Sequence, residues 1–175
     1  FKVFNYKPTT FREAINHNKE YFSWTFVRNP YDRLVSSYIN KVVDKHQGGL
    51  KKYRHIKTFK EFVHKLENVS NKTCDRHIRS LYTFFPPDID FIGRFENLQS
   101  DFNLISERLG VSDENLPHIN KTNHKHYTEY YDDETVEIVK EKYADDLEMF
   151  GYEFGDWCDM KKLAIITCGN DEYFG

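Results

Sequence analysis

The sequence is poor in cysteine and in long apolar runs, and each scarcity excludes a class of protein. Its 175 residues include three cysteines, Cys74, Cys158 and Cys168. An odd number of thiols without a Cys-x-x-Cys spacing argues against a disulfide framework and against a structural zinc site. A run of about 18 apolar residues, the length that a membrane span needs, does not occur, and neither does a signal-peptide pattern.

Net charge is also nearly absent. The chain has 25 basic and 28 acidic residues, which leaves a net charge of −3. Bulk attraction to nucleic acid is therefore not expected. The hydrophobic fraction of 39% and the aromatic fraction of 17% are ample for the core of one domain of this length. The chain opens at Phe1-Lys2-Val3-Phe4, as a fragment without its original N-terminus would.

Strand-like and helix-like segments alternate along the chain, and this order is typical of an α/β fold. The aromatic and β-branched run 21–27 predicts a strand buried on both faces, and 90–93 predicts a second, shorter strand. Asn29 and Pro30 suit the cap and the first residue of a helix that begins where the first strand ends. We expect a parallel sheet flanked by helices.

Three further amphipathic helices are predicted by apolar residues at helical spacing. The first covers 58–66, and the second is capped by Asn97 and ended by Gly110. The third has an acidic first turn at 132–134, and a single buried stripe runs through it as far as Gly151. We expect one domain over residues 1–157. Residues 158–175 read as a strand and a glycine loop, either the start of a second domain or an extra strand of this one.

The junction between the first strand and its helix suggests an anion site. Arg28 would lie at the carboxyl edge of the sheet, where the helix also offers free backbone amides and the positive end of its dipole. Ser36 lies on the same helix, about 10 Å from the cap at about 1.5 Å per residue. An arginine and a serine so placed could hold a phosphate between them. Alternatively, Arg28 pairs with Asp32 or with the terminal carbonyls, and the Ser36-Ser37 pair only permits close helix packing.

The segment FVRNPYDRLVSSY (26–38) resembles the 3′-phosphate-binding motif of sulfotransferases that use 3′-phosphoadenosine 5′-phosphosulfate (PAPS). The resemblance is greatest to the family of carbohydrate sulfotransferases and their bacterial relatives. In that motif a strand ends in arginine, Asn/Asp-Pro follows, and a second arginine and a serine come five and eight residues after the first arginine. The matching positions are Arg28, Asn29, Pro30, Arg33 and Ser36.

Three later segments are similar to the same family, in the expected order. DFIGRFENLQSDF (90–102) resembles a strand-to-helix segment, LPHINKT (116–122) resembles a loop that closes over the nucleotide, and residues 130–154 resemble the final helix. The similarity spans residues 8–154. It implies a P-loop NTPase-like parallel sheet and transfer of a sulfuryl group from PAPS to a carbohydrate hydroxyl, without a metal.

The resemblance also implies roles for individual residues. Arg28 and Ser36 would hold the 3′-phosphate of the nucleotide, with Arg33 as a third residue of that motif. Three residues of the later loop would lie near the nucleotide: Asn120, Lys121 and Thr122. Arg94 and Glu96 are expected to form a structural pair with each other rather than to contact substrate.

The acceptor side of the site is less well matched. Sulfuryl transfer needs a base for the acceptor proton, and His17 is the histidine upstream of the motif, with Glu13 and Glu20 as alternatives. His77 and Arg79 resemble part of a His-x-Arg-Pro-Gln segment near the acceptor. In this chain Ser80 and Leu81 stand where that segment has proline and glutamine.

The chain departs from the family pattern at its start. The family's first strand and its lysine-containing loop for the 5′-phosphosulfate do not occur within residues 1–154. This departure leaves open a degenerate relative that binds a nucleotide or glycan without turnover. A kinase-like phosphoryl-transfer enzyme of the same general architecture is a further alternative. The favoured location is the cytoplasm of a bacterium. In animals, relatives work in the Golgi lumen behind an N-terminal membrane anchor.

Overall fold

The structure is a computed structural model that describes residues 22–44, 51–53, 55–71, 73–84, 89–111, 115–117 and 125–156. In these ranges five α-helices accompany two short strands. The strands are β1 (Trp24–Val27) and β2 (Phe91–Arg94). The helices are α1 (Pro30–Tyr38), α2 (Phe59–Glu67), α3 (Leu98–Leu109), α4 (Asp133–Lys142) and α5 (Ala144–Phe150). This mixture confirms a helical fold with a parallel sheet.

The two strands pair in parallel, as predicted. Trp24 lies opposite Phe91 in the register, and Val27 lies opposite Arg94. At the amino ends, the Ser23 hydroxyl and amide donate to the Asp90 carboxylate at 2.6 and 2.8 Å. These two hydrogen bonds fix the register, because a shift by one residue would break both of them.

Burial increases along β1 from its first residue to its last. Trp24 is 41% exposed, whereas Val27 is 1% exposed and packs with Phe150 and Tyr152. The prediction of a strand buried on both faces is therefore wrong at its amino end. There the aromatic ring of Trp24 stacks on that of Phe22 at 6.0 Å rather than entering the core.

The middle of the sheet requires a glycine. A Cβ atom on Gly93 would lie 2.5 Å from Cε1 of Phe26, which is the opposite residue on β1. That distance is too short for two carbon atoms, so the close approach of the Phe26 ring depends on the absent side chain.

The first helix begins where the sequence predicts. Its apolar stripe, Tyr31, Leu34, Val35, Tyr38 and Val42, is buried throughout. The last residue of this stripe lies in a π-helical turn, Ile39–Val43, that continues α1. The stripe enters the larger of the two core clusters, where the ring of Tyr38 meets those of Phe59 and Phe62 on α2.

The helix ends follow the local signals in the sequence. Thr58 caps α2 in a capping box with Glu61. The α3 helix follows Asn97 and ends at Gly110, which has a φ of +64°, a backbone conformation that favours glycine. A short 3-10 helix, Phe95–Asn97, joins β2 to α3.

The last predicted helix is interrupted at Tyr143. The backbone there leaves the helical region with φ −111° and ψ 24°, so that α4 and α5 are separate helices. The Tyr143 side chain is buried, and its hydroxyl donates to the carbonyl of Ile78 at 2.7 Å. The prediction of one continuous helix is wrong here, whereas Gly151 ends α5 with a φ of +62°, as predicted.

Candidate functional site

Asn29 fixes the turn from β1 into α1 and is only 2% exposed. Its side-chain oxygen accepts from the amide of Tyr31 at 3.0 Å, and its side-chain nitrogen donates to the carbonyl of Glu153 at 3.1 Å. Its own amide donates to the carboxylate of Glu96 at 2.7 Å. These three hydrogen bonds fix the backbone at Asn29, and they therefore also fix the position from which the side chain of Arg28 extends.

The amides at the start of α1 are largely occupied. The amide of Tyr31 donates to the Asn29 side chain, and that of Arg33 donates to the Asn29 carbonyl at 2.9 Å. Pro30 has no amide hydrogen. The expectation of free amides is therefore wrong for Tyr31 and Arg33, and an anion beside α1 would depend mainly on side chains.

Arg28 lies between a carboxylate and an aromatic ring. Its Nε donates to Oδ2 of Asp32 at 2.7 Å, and its guanidinium carbon lies 4.5 Å from the ring centroid of Phe95. The side chains of Arg28 and Asp32 are each 21% exposed. Within the described part of the chain, the side-chain hydrogen bond of Arg28 involves Nε and none involves Nη1 or Nη2. The predicted alternative, an Arg28–Asp32 pair, is thus present, and this pair uses Nε of the guanidinium.

The parallel register accounts for the contact between Arg28 and Phe95. These residues follow Val27 and Arg94, which are opposite each other in the sheet. The carboxyl ends of both strands therefore place their next residues side by side. Phe95 was not identified in the sequence, although its position directly after a predicted parallel strand is the signal that could have found it.

The two neighbouring serines of α1 have different surroundings. Ser37 donates from its hydroxyl to the carbonyl of His77 at 2.9 Å, so it joins α1 to the irregular chain that follows α2. Ser36 is partly exposed and lies one helical turn beyond Asp32, on the face that carries the Arg28 pair. The two serines therefore lie on different faces of the helix, and Ser37 does more than permit close packing.

Arg33, predicted to bind the cofactor, contacts protein backbone. Its Nη2 donates to the carbonyl of Arg79 at 2.6 Å and to that of Arg76 at 3.2 Å. Burial lowers the pKa of this guanidinium, while the charge of Asp146 acts in the opposite direction. The Nη2 atom of Arg33 is thus already engaged by two carbonyls, which is the reason to separate this residue from Arg28 and Ser36.

Asp146 is fully buried and holds the same irregular chain from the other side. Its carboxylate accepts from the amides of Leu81 and Tyr82 at 2.7 and 3.0 Å. Burial raises the pKa of this carboxyl, and the two amide donors and the charge of Arg33 oppose that shift. No sequence pattern singled out Asp146, because its partners lie 64 and 65 residues away.

His77 and Arg79, the two residues predicted to lie near the sulfuryl acceptor, are part of this irregular chain. The amide of His77 and its Nδ1 approach Oδ1 of Asp75 at 2.9 and 2.6 Å. The Nη2 atom of Arg79 donates to the carbonyl of Cys74 at 2.8 Å, and its guanidinium lies 5.6 Å from the Phe84 ring. His77 thus has an exposed partner, whereas Arg79 is committed to the local backbone through one of its nitrogens.

Arg94 and Glu96 are structural, but not as the predicted direct pair. The Nη2 of Arg94 donates to the carbonyl of Phe150 at 2.6 Å, and its guanidinium lies 4.5 Å from the Tyr152 ring. The hydroxyl of Tyr152 donates to Glu96 at 2.8 Å. Burial, followed by the charge of Glu96, raises the pKa of Tyr152 well above its ordinary range. Both residues therefore meet at Tyr152, which sequence reasoning had placed in the final segment without a role.

Several predicted residues lie outside the described ranges. They are His17, Glu13, Glu20, Asn120, Lys121 and Thr122. Of the predicted nucleotide loop, the described part is Leu116 and Pro117, and the amide of Leu116 donates to the side chain of Gln99 on α3 at 2.9 Å. The tail at 158–175 is also outside, so the proposed domain boundary stays a prediction.

Two kinds of feature are absent from the described residues. None of the helices in these ranges has both the length and the apolar character of a membrane span. No cluster of three or more histidine, cysteine, aspartate or glutamate side chains in these ranges has a metal-binding arrangement.

The family comparison is extensive along the chain. The model described as "Sulfotransferase family" matches residues 1–153. No solved structure matches the chain significantly.

Curated relatives match part of the chain. Carbohydrate sulfotransferase 14 of Danio rerio is 31% identical over 121 residues, which cover 57% of this chain and 33% of the relative. Carbohydrate sulfotransferase 11 of Mus musculus is 30% identical over 126 residues, with coverages of 56% and 36%. The matched region thus spans about a third of each relative. Both relatives are vertebrate proteins and give no support to the predicted bacterial cytoplasm.

Proposed function

The chain belongs to the sulfotransferase family, and from this membership we propose that the protein transfers a sulfuryl group from PAPS to a hydroxyl group of a carbohydrate. The relatives carry the name carbohydrate sulfotransferase, which is the source of the proposed acceptor class. Because the match covers about a third of each relative, activity, donor and acceptor are all part of the proposal.

The orientation of the Arg28 side chain is the observation that carries this proposal. Asp32 orients the guanidinium through Nε at 2.7 Å, and the ring of Phe95 covers one of its faces at 4.5 Å. An arginine held in this way presents Nη1 and Nη2 as a planar pair of donors, which matches two oxygens of a phosphate. Orienting the fork before the ligand arrives reduces the entropy cost of binding.

Ser36 supplies the second proposed contact with the 3′-phosphate. Asp32 pairs with Arg28 and lies one helical turn before Ser36 on the same face of α1, and all three residues are partly exposed. A hydroxyl group can donate to a phosphate oxygen that the guanidinium does not reach. Asn120, Lys121 and Thr122 remain proposed neighbours of the nucleotide.

PAPS would supply the activated sulfuryl group when it is bound. The residues of this chain would hold the nucleotide phosphate and orient it against the carboxyl edge of the sheet, as P-loop-like folds do. The proposed sulfotransferase domain covers residues 1–157. His17 remains the proposed base for the acceptor proton, and His77 and Arg79 remain proposed acceptor contacts.

Calorimetry with 3′,5′-ADP tests the nucleotide site directly. The protein should bind 3′,5′-ADP in preference to ATP with Mg²⁺, because only the first nucleotide carries a 3′-phosphate. Arg28→Ala should weaken 3′,5′-ADP binding by about tenfold or more, which corresponds to about 1.5–3 kcal/mol for a hydrogen bond to a charged group.

The matched control is Arg108→Ala on α3. Arg108 also covers an aromatic ring, that of Phe22, at 4.4 Å, but Phe22 precedes β1, whereas α1 follows the other end of that strand. Its replacement should leave 3′,5′-ADP affinity unchanged. Preference for ATP with Mg²⁺ would support the kinase-like alternative, and equal losses in the two variants would remove Arg28 from the site. Binding without turnover of PAPS on any tested glycan would favour the non-catalytic relative.

A further inference from the structure

Residues 74–82 form a stretch without α-helix or strand whose backbone is held by side chains from other elements. We call it the 74–82 segment; it includes the start of a 3-10 helix, Leu81–Thr83. Its carbonyls at Arg76, His77, Ile78 and Arg79 accept from Arg33, Ser37 and Tyr143. Its amides at Leu81 and Tyr82 donate to Asp146. Outside helices and strands, backbone carbonyls and amides have no regular hydrogen-bond partners. Side chains from α1 and from the α4–α5 region supply these partners for the 74–82 segment.

Two of these side chains belong to α1. Arg33 and Ser37 are four residues apart, so they lie on the same face of the helix. That face differs from the one that carries Asp32 and Ser36, since adjacent residues are about 100° apart around a helix of about 3.6 residues per turn. The helix therefore has a core face, a proposed phosphate face and a face that holds the 74–82 segment.

We infer that Arg33 is a positioning residue that fixes the 74–82 segment, and with it His77 and Arg79, onto the helix that holds the nucleotide. This inference rests on the proposed function for the identity of that helix. Arg33 Nη2 donates to the carbonyls of Arg79 at 2.6 Å and Arg76 at 3.2 Å, so this nitrogen is engaged by protein backbone. The family motif thus has two arginines with different partners.

Charge supports this assignment. Hydrogen bonds from a guanidinium to carbonyls are charge-assisted and stronger than neutral ones. The positive charge of Arg33 acts on the buried carboxylate of Asp146, and Asp146 itself holds Leu81 and Tyr82. Two opposite charges therefore engage the backbone of the segment, and each favours the charged form of the other.

The experiment combines hydrogen–deuterium exchange with calorimetry on the full chain. Arg33→Met should raise the exchange rate of amides 76–82 by about tenfold, because the amides at Leu81 and Tyr82 lose a fixed neighbouring backbone. The affinity for 3′,5′-ADP should stay within about threefold of the parent protein. Arg33→Lys should restore slow exchange, because an ammonium group has three donors for the two carbonyls.

Two further variants make the result specific. Ser37→Ala removes one neutral hydrogen bond, to His77, and should raise exchange in the same amides by a smaller factor. It also tests the inference if Arg33→Met does not fold. Arg108→Met on α3 is the control and should leave exchange at 76–82 unchanged.

Each outcome decides the inference. A tenfold loss of 3′,5′-ADP affinity in Arg33→Met with unchanged exchange at 76–82 would show that Arg33 binds the nucleotide and would overturn the inference. Unchanged exchange in both Arg33→Met and Ser37→Ala would also overturn it. Failure of the parent protein to bind 3′,5′-ADP would reject the proposed function, and the exchange data would still decide whether Arg33 fixes the segment.

Discussion

Replacement of Glu96 by alanine is the sharpest test of how the turn from β1 into α1 is held in place. One carboxylate oxygen of Glu96 accepts from the amide of Asn29 at 2.7 Å, and the other accepts from the Tyr152 hydroxyl at 2.8 Å. Asn29 is 2% exposed and Tyr152 is 5% exposed. The alanine variant therefore leaves two buried donors without their acceptor.

The magnitude follows from these two contacts. A hydrogen bond to a charged group contributes about 1.5–3 kcal/mol, so the two bonds together set an upper range of about 3–6 kcal/mol. Glu96 itself is partly exposed, and water can reach the vacated position, so we expect a loss of about 3 kcal/mol in the free energy of unfolding. For a domain of this size that corresponds to a fall in Tm of about 6–12 °C.

The assay is urea denaturation followed by circular dichroism, with a thermal scan as a second measure. Glu96→Gln should lose only about 1 kcal/mol, because its amide oxygen still accepts from Asn29 and its nitrogen can donate to Tyr152. Glu141→Ala, at an exposed position of α4, is the matched control and should change stability by less than about 0.5 kcal/mol. If Glu96→Ala and Glu141→Ala denature at the same urea concentration, the mounting role of Glu96 is refuted.

Two further predictions concern the sheet. Gly93→Ala should reduce the free energy of unfolding by about 1–3 kcal/mol, since the new Cβ would lie 2.5 Å from Phe26; an unchanged urea midpoint would contradict this. The hydrogen bonds from Ser23 lower the pKa of Asp90, so the ionised carboxylate stabilises the fold above its unfolded pKa, and this contribution is lost as pH falls below about 4. Asp90→Asn should therefore flatten the acid limb of the stability profile, and parallel acid limbs would argue against it.

Local signals predicted the elements whose determinants are close in sequence. Asn29 and Pro30 start α1, Thr58 caps α2, and Gly110 and Gly151 end their helices, because capping involves residues within a few positions of one another. The parallel pairing also followed from the order of strands and helices.

Contacts between distant residues were beyond the sequence. The break at Tyr143 coincides with its hydrogen bond to Ile78, 65 residues away, and helix propensity carries no information about that partner. Arg33 lies in the same motif as Arg28, so a linear pattern gives both the same role. Only their partners, a carboxylate and a ring for one and two carbonyls for the other, separate them.

The 74–82 segment is held through its backbone carbonyl oxygens, and every amino acid has one. The side chains of Arg33, Ser37 and Tyr143 bind backbone carbonyls of the segment, whatever its own side chains are. The side chains of residues such as Asp75 and Arg76 are exposed and take no part in these bonds. Substitutions at these exposed positions can therefore change which ligands the segment contacts, while the backbone of the segment keeps its conformation.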